Sequence, residues 1–341
     1  MIPLVVDGIE VPKARSVASV ITIPASGLTR VDAATFQVLG EVMRLGTVKF
    51  TRRAILSMGQ SEVRTFSDFM QVQVTLQGSD FAAANELAWS LATEPSCFDE
   101  DVESAQRIVQ SRMASAWPQA LLPHAFDVST VTPARVKSLH RALMQGPLKG
   151  FVWGSLDVDK ARQDLNLRAK ESVSPKGSRR LGGAGLGGWT VPVTGSMPAA
   201  MLAAAGLGGG KSSAMFQVVR QQLRVSYQQD FLLWPGMDGW RGRFLVLSGA
   251  AVPLPAVREG LLDAIKKWND ADLQRFRRLA AGALEGTLSP SFLVISPWRD
   301  KGADEADAAA LASLLPGPLD LNAPTLEEVK SLAQGWVDQL K

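Results

Sequence analysis

Cysteine, tyrosine and histidine are scarce in this sequence, with one Cys, one Tyr and two His among 341 residues. A single thiol, Cys97, excludes an internal disulfide and a metal site built from several cysteines. No apolar run reaches the roughly 18–20 residues that span a bilayer. The N-terminus also lacks a basic region followed by an apolar core. We therefore expect no membrane insertion and a cytoplasmic protein, or an organelle-matrix protein after removal of a presequence.

An excess of charge of one sign is also lacking. The sequence has 36 basic and 33 acidic residues, which leaves a net charge of +3. Nucleic-acid-binding surfaces usually concentrate basic residues and interleave them with aromatic ones. Here the basic pairs are scattered along the chain: Arg52-Arg53, Arg179-Arg180 and Arg277-Arg278. We therefore expect no nucleic-acid partner.

The N-terminal half of the sequence shows a clear succession of elements. Apolar spacing predicts a helix over 36–45 closed by Gly46, and then a short helix over 51–58. From Met70 to Gln77, apolar and polar residues alternate strictly, which predicts a strand with one buried face. Helices over 80–93 and from Asp99 onwards follow, the second with acidic residues in its first turn.

The C-terminal half repeats this order. We predict an apolar helix over 197–205, a helix capped by Ser212, strands over 225–233 and 241–248, and helices over 255–268 and from Asn269. Late in each half the sequence has a similar segment, TPARVKSL at 132–139 and TLEEVKSL at 325–332. The matching positions indicate an internal duplication.

The repeated order predicts an α+β fold with two tandem homologous half-domains, each a mostly antiparallel sheet layered with helices. We place the first half-domain at 1–168 and the second at 189–341. Between them, residues 169–188 are rich in glycine and basic residues, which is typical of a flexible linker.

Two glycine patterns are similar to nucleotide-binding loops. Residues 183–188 match G-x-G-x-x-G, but a basic linker precedes them and a strand-like run follows, which is the wrong context for a dinucleotide site. Gly210-Lys211-Ser212 lacks the earlier glycine of a phosphate loop, although Ser212 at a helix start could bind an anion. We favour packing and hinge roles for residues 206–210.

The segment 207–227, LGGGKSSAMFQVVRQQLRVSY, ends on Tyr227, the only tyrosine of the chain. A glycine-rich turn, a helix ending in Arg220 and a tyrosine seven residues later resemble the second half-domain of the pitrilysin/insulinase-type zinc peptidases. The resemblance implies a clam-shell metallopeptidase fold and a substrate-binding site formed by Arg220, Tyr227, Gly208, Gly209 and Gly210. Without the resemblance, Arg220 could equally cap a helix or form an ion pair, and Tyr227 could pack.

The same resemblance indicates that the zinc site is lost. The family binds zinc through His-x-x-Glu-His on a helix, with a further Glu downstream. When the family pattern is anchored on Gly46-Thr47, these positions hold Gln37, Gly40 and Glu41, with Gln110 near the last ligand. The two histidines, His124 and His140, lie elsewhere and have no such partners. We expect no catalytic residue, no metal and no cofactor in this chain.

In two-subunit members of the family, one chain carries the zinc and a sister chain carries the Arg/Tyr pair. This sequence resembles the sister chain, which implies a non-catalytic subunit of a heterodimeric zinc metallopeptidase without activity of its own. Its expected partners are a zinc-binding sister subunit and a peptide substrate. One departure is Arg224, where the family usually has glycine. The alternative is a structural core subunit of a larger, respiratory-type membrane complex, in which the nine tryptophans would serve an interface.

Overall fold

The chain forms two compact units. The computed structural model describes residues 2–25, 30–66, 68–113, 127–172, 190–236, 239–247, 251–284, 305–315 and 319–340. Of these, the first unit contains 2–172 and 305–313, and the second contains 190–284 and 314–340.

A five-stranded sheet with the order β1-β5-β2-β4-β3 forms the first unit. Its strands are β1 (Leu4–Glu10), β2 (Ser16–Pro24), β3 (Gln60–Thr65), β4 (Phe69–Gln77) and β5 (Leu148–Gly154). Only β1 and β5 pair in parallel, and the other neighbours are antiparallel. The strand predicted to end at Gln77 matches β4, whose residues Met70, Val72 and Val74 join the main core. The prediction of a single buried face is wrong, because Gln71 and Gln73 on the other face are buried too.

In the described residues up to 172, the helices that accompany this sheet are α1 (Arg30–Leu45), α2 (Arg52–Met58), α3 (Phe81–Thr93), α4 (Asp99–Met113), α5 (Pro133–Leu143) and α6 (Val158–Glu171). Four of them begin at a side chain that accepts a hydrogen bond from a backbone N–H three residues later, as in a typical N-cap. These caps are Thr51, Asp80, Thr132 and Asp157. Because α6 continues to Glu171, the first residues of the predicted linker are helical, and residues 173–188 lie outside the described part.

Both faces of the first sheet are covered at β2. One face contributes Val17, Ile21 and Ile23 to the core shared with the helices. On the other face, Ala18 and Val20 form an apolar cluster with Phe151, Trp153 and Ala309. Ala309 belongs to α10 (Glu305–Ala312), which packs on this face although it comes late in the sequence. This position differs from the predicted boundary, which assigned all of 189–341 to the second half-domain.

The second unit has a three-stranded antiparallel sheet in the order β6-β8-β7. Its strands are β6 (Thr190–Pro192), β7 (Gln228–Gly236) and β8 (Gly239–Leu247). Its helices are α7 (Met197–Gly208), α8 (Leu254–Lys266), α9 (Asp270–Leu284) and α11 (Leu326–Asp338). A π-helical segment, Phe216–Gln222, lies between α7 and β7.

The two units share an order of elements. Each has a long helix, a short helical segment, a strand hairpin, two further helices and a helix that begins at a threonine cap, Thr132 in the first unit and Thr325 in the second. The threonine-capped helix packs on the first long helix in both cases, α5 on α1 and α11 on α7. The prediction of an α+β fold with mostly antiparallel sheets is confirmed.

The tryptophans that the structure describes are all buried, with at most 9% of any of them exposed. They are Trp89, Trp153, Trp234, Trp240, Trp268 and Trp336. These six side chains therefore serve the protein's own cores. No helix in the described ranges is both long and apolar enough to cross a membrane.

Candidate functional site

Arg220 and Tyr227, predicted to act together, do lie together. The guanidinium carbon of Arg220 is 5.2 Å from the centre of the Tyr227 ring and 5.1 Å from that of Phe216. These distances are typical of cation–π contacts. Tyr227 is 82% exposed, and Arg220 is also exposed. The three side chains therefore form an accessible cluster, which we call the Arg220–Tyr227 cluster.

The π-helical segment explains how Arg220 comes to face solvent. Val218 and Val219 are fully buried, which anchors one side of the segment and leaves Arg220 on the other. The N-terminal side is capped by Ser213, whose hydroxyl accepts a hydrogen bond from the N–H of Phe216 at 3.2 Å. The prediction that Ser212 is the cap is therefore wrong by one residue, because the chain forms a 3-10 turn over Gly210–Ser212 first.

A wide turn connects this segment to Tyr227. The N–H of Leu223 donates to the carbonyl of Val218, and the N–H of Val225 donates to that of Val219, at 2.9 and 3.1 Å. Between these bonds lies Arg224, with a φ of +56°, the one non-glycine residue at positive φ in the described part of the chain. Helices commonly end on such a left-handed residue, which is usually glycine.

This backbone conformation is unfavourable for arginine at position 224. The left-handed region costs a residue with a Cβ about 1–2 kcal/mol. A cation near a helix C-terminus recovers only about 0.3–1 kcal/mol through the helix dipole. Arg224 therefore occupies a backbone conformation that does not favour a residue with a Cβ.

The cluster presents hydrogen-bond donors without neutralising acids. Within the described residues, neither Arg220 nor Arg224 forms an ion pair with a carboxylate. A guanidinium that lies over aromatic rings keeps its N–H edge available for acceptors. The arrangement can therefore bind carbonyl or carboxylate oxygens.

The three predicted glycines differ in accessibility. Gly208 is buried where the end of α7 meets β7, and a Cβ there would lie 2.3 Å from a carboxylate oxygen of Asp230. Gly209 is half-buried, and Gly210 is exposed with a φ of +82°. Gly208 thus has a packing role, and of the three only Gly210 is fully open to a ligand.

The positions aligned with the family's zinc ligands form a different network. The side chain of Gln37 accepts a hydrogen bond from the hydroxyl of Thr65. The carboxylate of Glu41, only 7% exposed, forms ion pairs with Arg44 at 2.9 Å and with Arg112 of α4. Gln110 lies on the exposed side of α4. An amide and a carboxylate already bound by two guanidiniums do not fit a zinc site, which needs several free nitrogen or oxygen ligands.

His140 and Cys97 have structural surroundings. The Nε2 of His140 is 2.9 Å from the carbonyl oxygen of Ala92, and burial lowers the pKa of the imidazole below its usual value. Burial likewise raises the pKa of the Cys97 thiol, which is not disulfide-bonded, so it is a poor nucleophile. The interpretation of Cys97 as a buried thiol is confirmed, and His124 lies outside the described residues.

Comparison with solved structures identifies proteins of the same fold at low sequence identity. A peptidase M16 inactive domain from Pseudomonas fluorescens aligns with a TM-score of 0.64 at 13% identity, over 97% of this chain and 92% of that one. A protease from Helicobacter pylori aligns with a TM-score of 0.66 at 12% identity, over 97% and 93%. This chain has the M16 peptidase fold. The resemblance to pitrilysin-type peptidases is thereby confirmed for the fold.

A longer protein contains the same fold. The periplasmic protease PqqL from Escherichia coli aligns with a TM-score of 0.51 at 12% identity, over 98% of this chain but only 44% of its own length. No protein-family model matches the sequence, and no curated protein does either. The M16 fold is therefore visible in the backbone of this chain and not in its overall sequence.

Proposed function

We propose that this chain is the non-catalytic subunit of a heterodimeric zinc metallopeptidase and that it binds the peptide substrate. The observation that carries the proposal is the exposed contact between Arg220 and Tyr227 on an M16 fold. The ion-paired Glu41 and the neutral Gln37, at the positions where the family binds zinc, also support a chain without its own metal.

The chemistry of the cluster suits a peptide backbone. A guanidinium and a phenol both donate hydrogen bonds to carbonyl oxygens, and neither ordinarily changes protonation near pH 7. In the proposed complex the partner chain would hold zinc, which would supply the activation of water, and Arg220 and Tyr227 would hold the substrate carbonyl and stabilise the charge that develops on it. The Pseudomonas structure is likewise described as an inactive domain.

The first experiment identifies the partner. Full-length tagged chain is captured from its native cells under mild crosslinking, and bound proteins are identified by mass spectrometry. We expect a stoichiometric sister chain that contains His-x-x-Glu-His. A large membrane assembly that lacks such a chain would favour the structural-subunit alternative instead.

The second experiment tests the residues. Hydrolysis of a quenched fluorescent peptide should require both chains, and removing one transition-state donor typically lowers kcat by about 10²-fold. We expect losses of this order for Arg220→Ala and for Tyr227→Phe. Arg278→Ala, an exposed arginine on α9, serves as the control and should retain activity. Full activity of the double variant, or zinc-dependent activity of this chain alone, contradicts the proposal.

We also propose a cytoplasmic location, with the organelle matrix as the alternative. One protein of the same fold is a periplasmic protease, so the fold itself does not decide the compartment. Cell fractionation followed by immunodetection of the untagged chain distinguishes these locations.

A further inference from the structure

Arg224 lies in the turn that joins the π-helical segment to Tyr227. The hydrogen bond from the N–H of Val225 to the carbonyl of Val219 brings residues 219 and 225 together. Arg220 directly follows Val219 and Arg224 directly precedes Val225, so both lie in the turn that this bond closes, and both are exposed. Two guanidiniums are therefore displayed at one turn, immediately before Tyr227.

The internal structure does not account for the second arginine. Its positive φ is a conformation that glycine adopts without cost. A cation in place of Gln221 or Gln222 would interact equally well with the helix dipole. In the described part of the chain, the Arg224 side chain has no hydrogen bond and no ion pair. A strained, exposed residue whose side chain has no such partner is a candidate for a role in binding.

We propose that Arg224 is a specificity residue that makes the chain prefer peptides with an acidic side chain next to the carbonyl held by Arg220 and Tyr227. This inference rests on the proposed peptide-binding function and names its substrate class. Arg220 stacks on two rings and supplies donors to the backbone carbonyl, whereas Arg224 adds a charge that a neutral peptide does not use. Guanidinium–carboxylate pairs form strong, often bidentate hydrogen bonds, which is why the acid is selected.

The test measures binding directly, without the partner or zinc. Two fluorescein-labelled, unstructured 12-residue peptides are used, identical except that one contains Glu-Asp-Glu where the other contains Gln-Asn-Gln. Their Kd values are measured by fluorescence anisotropy on the full chain at low and physiological salt. We expect the acidic peptide to bind about three- to tenfold more tightly at low salt, with a smaller ratio at higher salt.

Three variants separate the possible causes. Arg224→Gly suits the positive φ, so it should fold at least as well as the wild type while the preference falls below about twofold. Arg224→Lys retains the charge but not the bidentate geometry, so it should retain only part of the preference. The double variant Arg220→Ala/Tyr227→Phe should weaken the binding of both peptides by a similar factor.

The outcomes distinguish this inference from the function on which it rests. If both peptides bind equally to the wild type, or if Arg224→Gly keeps the preference, the role of Arg224 is refuted while peptide binding stands. If neither peptide binds, or if the double variant binds as well as the wild type, the proposed peptide site is refuted and the inference with it.

Discussion

The conformation of Arg224 leads to a prediction in which the usual ranking of glycine and alanine is reversed. We compare Arg224→Gly with Arg224→Ala, because both remove the same charge and differ only in the Cβ. With a φ of +56°, alanine keeps the left-handed strain of about 1–2 kcal/mol and glycine does not. Glycine loses about 0.4–1 kcal/mol of this advantage through the greater entropy of its unfolded chain. The glycine variant should therefore be the more stable by about 1 kcal/mol.

Gln221 provides the matched control. It is exposed and lies three residues earlier, inside the π-helical segment, where no positive φ occurs. In a helical interior, alanine is more favourable than glycine by about 0.8–1 kcal/mol. The pair Gln221→Gly and Gln221→Ala should therefore rank in the opposite order.

Urea denaturation followed by tryptophan fluorescence gives the comparison. Trp234, Trp240 and Trp268 are buried in the second unit and report its unfolding. Midpoints are compared between variants that share one m-value, so that a difference reflects stability. If Arg224→Ala is as stable as Arg224→Gly, the turn does not hold residue 224 in the left-handed region and the reasoning is refuted.

Three further predictions use the same denaturation assay. Gly206→Ala should destabilise the second unit by about 1–3 kcal/mol, because a Cβ would lie 2.8 Å from the rings of Phe276 and Trp268. Equal denaturation midpoints of the variant and the wild type would contradict this packing. The control Gly335→Ala, on an exposed part of α11 with open space around it, should be neutral or stabilising by up to about 1 kcal/mol. Arg112→Ala should lower the free energy of unfolding by about 1–3 kcal/mol, because the nearly buried Glu41 loses one of its two cations. An unchanged midpoint would show that the ion pair between Arg112 and Glu41 is not formed. Because burial lowers the pKa of His140 in the folded state, the unfolded state binds the proton first. Stability should fall below about pH 6.5 by up to about 1.4 kcal/mol per pH unit, and His140→Gln should remove this slope.

The parts of the fold that could be predicted are those whose sequence carries a local polar–apolar pattern or a capping residue. Strand β4 alternates because its core face carries Met70, Val72 and Val74 while its other face carries glutamines and threonine. Helix α3 follows a capping aspartate, Asp80, and its apolar spacing is visible in the sequence. In both cases local residues determine the element.

The parts that could not be predicted depend on distant residues. Both faces of β2 carry buried apolar residues, Val17 and Ile21 on one and Ala18 and Val20 on the other, so no alternation marks the strand. Its second face is covered by Ala309 of α10, far away in sequence. Likewise, the hydrophobic spacing of Val218 and Val219 indicates a helix but not its π-type hydrogen bonds, which place Arg224 at positive φ.

At the candidate site, the pairing of Arg220 with Tyr227 could be predicted only through the resemblance to a family, because seven residues and a turn separate them. The resemblance also included a glycine at position 224, and that glycine was the one available signal of a left-handed backbone. The contact between Phe216 and Arg220 could not be predicted, because an aromatic residue at helical spacing usually belongs to the core.

The packing of α10 on the first sheet has a consequence for synthesis on the ribosome. Until residues 305–313 have emerged, Val20, Phe151 and Trp153 lack the apolar cover that they have in the finished protein. Exposed apolar patches of this kind bind chaperones or promote aggregation. The first unit therefore completes its folding only after residues 305–313 have been synthesised, and a fragment that stops before α10 should be expressed in insoluble form.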